Sequence, residues 1–196
     1  MLALLSPELQ LMLAPSDSYR RLVRQPPCGD RELAARSLLV VLVLGTSVAL
    51  AATGRVSLGL VLSCSLCWSL ALLVQALALA VVARPSPLPY RRSLELFLLA
   101  HAPWSLWLLC YSLAAALTFP EGSAAWTGLA AYAVATALIP LVWTSWIVFC
   151  FFRTVLMLPT RRALLKTIGY ELALWSAALA YVSFAVALEP RLRALL

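Results

Sequence analysis

Charged side chains are scarce in this sequence. They make up 12% of its 196 residues, against roughly a quarter in water-soluble domains. Hydrophobic residues reach 63% and the mean hydropathy is +0.94. Several apolar runs exceed the roughly 20 residues that cross a bilayer as a helix. The composition excludes an ordinary water-soluble domain and predicts an all-α fold, a polytopic transmembrane helical bundle.

Histidine is nearly absent, and the glycines and cysteines follow no functional pattern. His101 is the only histidine, which argues against a haem or metal site with several imidazole ligands and against a hydrolase triad. The seven glycines form no phosphate-binding loop. The five cysteines are an odd number and lie mostly in apolar runs, so we expect no disulfide framework. We therefore predict no enzymatic activity, no cofactor and no metal site.

Hydropathy divides the chain into five predicted spans. Their approximate bounds are Ser37–Thr53, Ser57–Ala83, Ser93–Phe119, Ala125–Phe152 and Thr167–Leu188. Residues 1–36 are predicted as a cytoplasmic N-terminal segment, residues 37–188 as the transmembrane domain and residues 189–196 as a short external tail. Within the first segment, residues 1–14 favour an interfacial helix or a helix that packs on the bundle. Residues 15–36 are predicted as a basic linker.

The basic residues predict the orientation of these spans. Twelve of the fifteen fall on one side of the predicted spans, and Arg55, Arg191 and Arg193 fall on the other. Positive charge is retained in the cytoplasm, so the N-terminus is predicted inside and the C-terminus outside. Fourteen of the fifteen are arginine, which hints at GC-rich coding and a bacterial inner membrane.

The net charge of +7 is interpreted as topology signals and contacts with anionic lipid headgroups, not as nucleic-acid binding. The candidates for a basic cytoplasmic face are Arg91, Arg92, Arg161, Arg162 and Lys166. These residues lie close to the predicted ends of the spans.

Gln75 and His101 are the notable polar residues inside the predicted spans. Each lies about eight residues from the cytoplasmic end of its span, or about 12 Å deep. Because the second and third spans are antiparallel neighbours in sequence, we expect a hydrogen bond between the two side chains that sets helix register. His101 is then a packing residue. The alternative is a zinc site made of Cys64, Cys67, His101 and one further thiol.

Prolines and tryptophans share the third and fourth spans. Pro103 and Pro140 lie near the middle of these spans and should kink them. Trp104, Trp107, Trp143 and Trp146 occur as pairs one turn apart. They predict an aromatic stripe between the two spans, with a surface for a partner or pigment as the alternative.

The layout resembles the Ypt/Rab-interacting protein (Yip) family of five-span membrane proteins, in particular its short bacterial members. The resemblance is carried by LMLAPSDSYRRLV in the N-terminal segment, by LLAHAPWSL early in the third span, by the Trp-rich fourth span, and by LPTRRALLKTIGYELAL before the last. It implies a non-catalytic protein that organises partners or bilayer, and it carries over no catalytic residues.

From these observations we predict a non-enzymatic integral membrane scaffold or accessory subunit. Its expected partners are a bilayer with anionic headgroups and a membrane protein or a second copy of the chain. The alternative is a transporter or channel component with a cavity between the kinked third and fourth spans, around His101, Gln75 and Pro140. A membrane enzyme or cofactor-binding subunit ranks third.

Overall fold

The computed structural model describes the backbone of residues 6–53, 56–83, 87–118 and 131–193. Side chains are described at these positions except at 51–53, 115, 116, 118, 181, 182 and 184–193. All regular structure in this part of the chain is helical. The helices are α1 (Pro7–Leu13), α2 (Pro15–Arg24), α3 (Asp30–Thr53), α4 (Leu58–Val82), α5 (Tyr90–Leu98), α6 (Ala102–Thr118), α7 (Leu138–Thr154) and α8 (Thr160–Arg193). A 3₁₀ turn, Leu99–His101, joins α5 to α6.

Four helical segments are long and apolar enough to cross a membrane: Asp30–Leu50, Leu58–Val82, Tyr90–Ala114 and Ala131–Thr154. They coincide with the first four predicted spans, and the all-helical, membrane-type architecture is confirmed. The predicted boundaries at 119 and 125 lie outside the described residues. The fifth predicted span falls within α8, where side chains beyond residue 180 are described only at Ser183. That span stays a prediction.

The N-terminal segment packs into the bundle, so the second of its two predicted placements is the one observed. The predicted linker was wrong over residues 15–24, because these residues form α2. Proline is well suited to the first turn of a helix, where its missing N–H costs no hydrogen bond. Tyr19, Leu22 and Val23 follow the i, i+3, i+4 spacing of a helix face. Tyr19 is fully buried, with its ring edge-on to Phe151 at a centroid distance of 5.7 Å.

The main core lies at the end of the bundle where α4 and α7 end and α5 and α8 begin; we call this the basic end. There Phe97 lies 5.2 Å from Phe151 and 5.0 Å from Tyr170, ring centroid to centroid, in edge-to-face contacts. Leu11 and Met12 of α1 belong to the same buried cluster. Residues of α1 and α2 therefore complete the core at this end of the bundle.

Helix α3 packs between α4 and α6. It runs parallel to the α5–α6 segment, since Arg91 pairs with Asp30 at one end (2.6 Å) and the Ser112 hydroxyl donates to the Ser47 carbonyl at the other (2.6 Å). The second and third spans make few direct contacts, and these lie near the basic end, where the Tyr90 hydroxyl of α5 donates to the Ala76 carbonyl of α4 at 2.6 Å. The first span separates them over much of their length.

Helices α3 and α4 approach most closely at Gly45. A Cβ atom built there would lie 2.2 Å from the Ser65 Oγ and 2.7 Å from the Ser65 backbone nitrogen. Small residues allow this separation between membrane helices and thereby increase van der Waals contact along the whole interface. The absence of a side chain at Gly45 therefore fixes the geometry of the α3–α4 hairpin.

We expect Gly45→Ala to lower the stability of the protein by about 1–3 kcal/mol, because the two helices must separate to admit one methyl group. Thermal unfolding in mild detergent measures the effect. Gly59→Ala on α4 is the matched control, since nothing lies within 4 Å of a Cβ built there, and it should be neutral or slightly stabilising. Equal melting temperatures for the two variants would contradict the close approach.

Candidate functional site

A cavity of about 750 Å³ lies between the N-terminal segment, α3 and the α5–α6 segment. Polar groups line its end near the start of α3 and α5, and these are Gln25, Cys28, Glu32, Arg36, Arg92 and Glu95. The walls further along α3 and α6 are mainly aliphatic, with Val40, Val43, Leu106 and Leu109 among them. The volume is in the range typical of small-molecule sites.

Arg92 joins the N-terminal segment to the membrane helices at this cavity. Its guanidinium forms an ion pair with Glu95 at 2.5 Å. It also donates to the carbonyl of Leu22 and, at 2.8 Å, to the carbonyl of Gln25. These carbonyls belong to the C-terminal end of α2, where the usual helical donors are missing and the Gln25 N–H bonds only to the Leu22 carbonyl. Arg92 therefore caps α2 and neutralises Glu95 with one side chain.

The short connection between α2 and α3 is held by the neighbouring residues of α5. Arg91 donates to the Cys28 carbonyl at 2.7 Å, and the Cys28 N–H donates to the Glu95 carboxylate at 3.3 Å. Burial raises the pKa of the Cys28 thiol, and the adjacent Glu95 raises that pKa further. The thiol is thus protonated at neutral pH, which makes it a poor nucleophile.

The His101 side chain contacts a backbone carbonyl whose helical partner changes at the proline kink. Pro103 has no N–H for the Leu99 carbonyl, and the Ala102 N–H bonds to that carbonyl instead. The Leu98 carbonyl thereby loses its usual helical donor, and the His101 Nδ1 lies 3.1 Å from it. Because a carbonyl only accepts, Nδ1 carries the proton. His101 thus has a structural role, because its side chain caps a carbonyl where the helix is interrupted.

The predicted hydrogen bond between Gln75 and His101 is not formed. Both residues are buried, but Gln75 Oε1 and His101 Nε2 have no hydrogen-bond partner among the described residues. The prediction failed because it assumed that consecutive spans are in contact, whereas α3 packs against both α4 and α6. His101 lines the cavity described above.

The predicted basic face is divided by the structure. Arg91 pairs with Asp30, Arg92 is buried among its three partners, and Lys166 donates to the Val82 carbonyl at the end of α4. All three cations contact neighbouring segments. Arg92 is buried, so its assignment to an outward-facing surface was wrong, whereas Arg91 is exposed and Lys166 is half-buried. Arg161 and Arg162, at the start of α8, are exposed.

The four tryptophans do not form one stripe. Trp104 and Trp107 are in edge-to-face contact at 5.7 Å, whereas the exposed Trp146 stacks on Phe149 at 5.5 Å. Trp143 faces the N-terminal segment, where its indole N–H donates to the Met12 carbonyl at 3.0 Å. The expectation failed because α1 and α2 occupy part of the surface of α7 that a five-helix bundle would leave to α6.

Pro140 lies at the start of α7, after a break in the helix at Ala137. Beside this break the Trp107 indole N–H donates to the Thr136 hydroxyl at 3.1 Å. The cavity predicted between the third and fourth spans is not the one found, since the 750 Å³ cavity includes His101 but no residue of α7 and neither Gln75 nor Pro140.

The zinc alternative gains no support from the part of the chain that the structure describes. No group of three or more His, Cys, Asp or Glu side chains is placed there to hold a metal ion. Cys64 and Cys67, both on α4, form no disulfide with any other described cysteine, and Cys67 is exposed.

Comparison with known proteins adds no assignment: no family model, no curated protein and no solved structure matches this chain.

Replacing Arg92 should release the N-terminal segment. Arg92→Leu removes the cationic partner of Glu95 and the guanidinium donor to the carbonyls of Leu22 and Gln25, and we expect a loss of about 3 kcal/mol. Melting temperature and the rate of tryptic cleavage at Arg20 and Arg21 measure the effect, because both sites lie on α2. Arg31→Leu, at an exposed position on α3, is the control. An unchanged cleavage rate in Arg92→Leu would show that Arg92 does not hold the N-terminal segment in place.

Proposed function

We propose that this protein is a non-enzymatic integral membrane protein that serves as a scaffold or accessory subunit. The observation that supports this is that several buried or half-buried polar side chains join one helix to another, as in the Arg92, Trp143 and Ser112 contacts. Ser145 likewise donates to Glu171 at 2.8 Å and ties α7 to α8. A catalytic site would instead direct such groups toward a common substrate position.

The outward faces supply the surface on which such a protein would act. Large aliphatic side chains are exposed along α3, α4 and α8, among them Leu38, Leu62, Leu66, Leu73, Leu172 and Leu179. In a bilayer these faces contact lipid or a partner helix. The exposed Arg161 and Arg162 add a pair of cations suited to anionic headgroups or to an acidic partner.

The finer topology is part of the same proposal. We infer a fifth span within α8, with the N-terminus inside, the C-terminus outside and the bacterial inner membrane as its location. The asymmetry of basic residues supports this orientation. Membership of the Yip family remains a hypothesis, and five spans in this orientation would agree with it.

A reporter fused after Leu196 tests the number of spans. With five spans, alkaline phosphatase at this position should be active and a green fluorescent protein should not fluoresce, because only the phosphatase matures outside the cytoplasm. Both reporters inserted after Pro87, between α4 and α5, serve as the cytoplasmic reference. A fluorescent C-terminal fusion would show that the C-terminus is cytoplasmic and that the number of spans is therefore even.

The scaffold proposal is tested by purification from native membranes in mild detergent with quantitative mass spectrometry. We expect a partner at near-equal stoichiometry, and its recovery should fall about tenfold in an Arg161→Gln/Arg162→Gln variant if the cations contact it. An Arg20→Gln/Arg21→Gln variant, altered at two exposed positions on α2, is the control. Purification of the chain alone, with catalytic turnover of a bound small molecule, would overturn the proposal.

A further inference from the structure

We propose that the cavity between α3, α6 and the N-terminal segment binds one zwitterionic glycerophospholipid from the surrounding bilayer. The phosphate would contact Arg36, the ammonium group would face Glu32, and one acyl chain would lie along the aliphatic walls. This goes beyond a scaffolding role, because it assigns a ligand class to a defined internal site.

The cavity is polar at one end and aliphatic along its walls, which matches an amphiphilic ligand. Along α3 its lining changes from Glu32, Arg36 and Ser37 to Leu39, Val40 and Val43. The eleven residue steps from Glu32 to Val43 rise about 17 Å along the helix axis, and half of a bilayer's hydrocarbon core is about 15 Å thick. The polar end and the aliphatic wall are therefore spaced like the headgroup and chain of a lipid in one leaflet.

The cavity also opens toward the hydrocarbon. Leu39, Leu106 and Leu109 line it, and their side chains are 62%, 44% and 46% exposed. These residues form a rim between α3 and α6 on the apolar outer surface of the bundle. An acyl chain can thus enter sideways from the bilayer without crossing water.

The charges at the polar end favour a headgroup that carries both signs. Arg92 and Glu95 neutralise each other, and their side chains are 10% and 13% exposed. Arg36 and Glu32 pair at 2.6 Å with about half of each side chain exposed, so both retain capacity for a ligand. A guanidinium binds phosphate through two parallel hydrogen bonds, and a carboxylate accepts from an ammonium group.

An anionic headgroup fits this end less well. Three carboxylates line the cavity, those of Glu8, Glu32 and Glu95, against the two guanidinium groups of Arg36 and Arg92. The excess of negative charge would repel a headgroup that has only a phosphate. The cavity thereby differs from the exposed Arg161 and Arg162, which suit anionic lipids.

The test uses the full chain in nanodiscs of phosphatidylethanolamine and phosphatidylglycerol. A trace of phosphatidylethanolamine with a photoactivatable diazirine on one acyl chain is the probe, and the same chain on phosphatidylglycerol is the comparison. After irradiation, peptide mass spectrometry locates the labelled residues. We expect phosphatidylethanolamine to label Val40, Val43, Leu106 or Leu109 and phosphatidylglycerol to label them several-fold less.

Two kinds of variant separate cavity binding from general lipid contact. Ala102→Phe fills the cavity and should abolish this labelling, whereas Leu113→Phe, on the outer face of α6, should leave it unchanged. Arg36→Gln should reduce labelling about tenfold through the lost phosphate contact, and Arg31→Gln on the same helix should not. Melting temperatures confirm that each variant is folded.

The proposal is overturned if labelling is equal in folded Ala102→Phe and wild-type protein, because the signal would then come from lipid around the bundle. Equal or stronger labelling by phosphatidylglycerol would overturn the zwitterionic assignment. A loss in both Arg36→Gln and Arg31→Gln would show that positive charge in general, not the Arg36 contact, directs the lipid.

Discussion

A guanidinium group that is buried away from water must have its charge and its hydrogen-bond donors satisfied by the protein. Arg92 is such a group, and its contacts organise the basic end of the bundle. Removing an ion from water costs several kcal/mol even after relaxation. Here Glu95 supplies the opposite charge, while the carbonyls of Leu22 and Gln25 supply two further acceptors. Since these carbonyls lie at the end of α2, the burial of Arg92 and the docking of α2 require each other. Tyr19 in the core depends on that docking.

The same condition accounts for the existence of the cavity. Residues 25–28 connect α2 to α3, and the contacts of Arg91, Arg92 and Glu95 hold them beside α5. The start of α3 is thereby held across an ion pair from Arg91. Further along, the Ser112 hydroxyl donates to the Ser47 carbonyl and holds α3 against α6. The space between these two attachments is the cavity, and the N-terminal segment closes one of its sides.

Features that depend on local properties of the chain could be predicted from the sequence, and features that depend on long-range contacts could not. The four apolar helices were predicted because hydrocarbon thickness sets both their length and their composition. The kinks lie near Pro103 and Pro140 because a missing N–H is a property of the residue itself. Long-range contacts had no such local signal.

Helix α2 is the instructive case. Its polar stretch PSDSYRR suggested a linker, yet Pro15, Tyr19, Leu22 and Val23 share one helical face, a signal that inspection of hydropathy alone does not detect. The assignment of Arg92 to an outward-facing surface failed for a related reason. Hydropathy counts a cation near a span as facing water, and it contains no information about the carbonyls at helix ends that a neighbouring segment brings to that cation.

The cavity wall itself follows from one proline. Pro103 shifts the Ala102 N–H to the Leu99 carbonyl and tightens residues 99–101 into a 3₁₀ turn, in which side chains three residues apart lie on the same side. Leu99 and Ala102 accordingly both line the cavity. Because Ala102 has only a methyl group, the wall is recessed at this turn. The His101 side chain contacts the Leu98 carbonyl at this turn, and the space beside it is where we propose that an acyl chain lies.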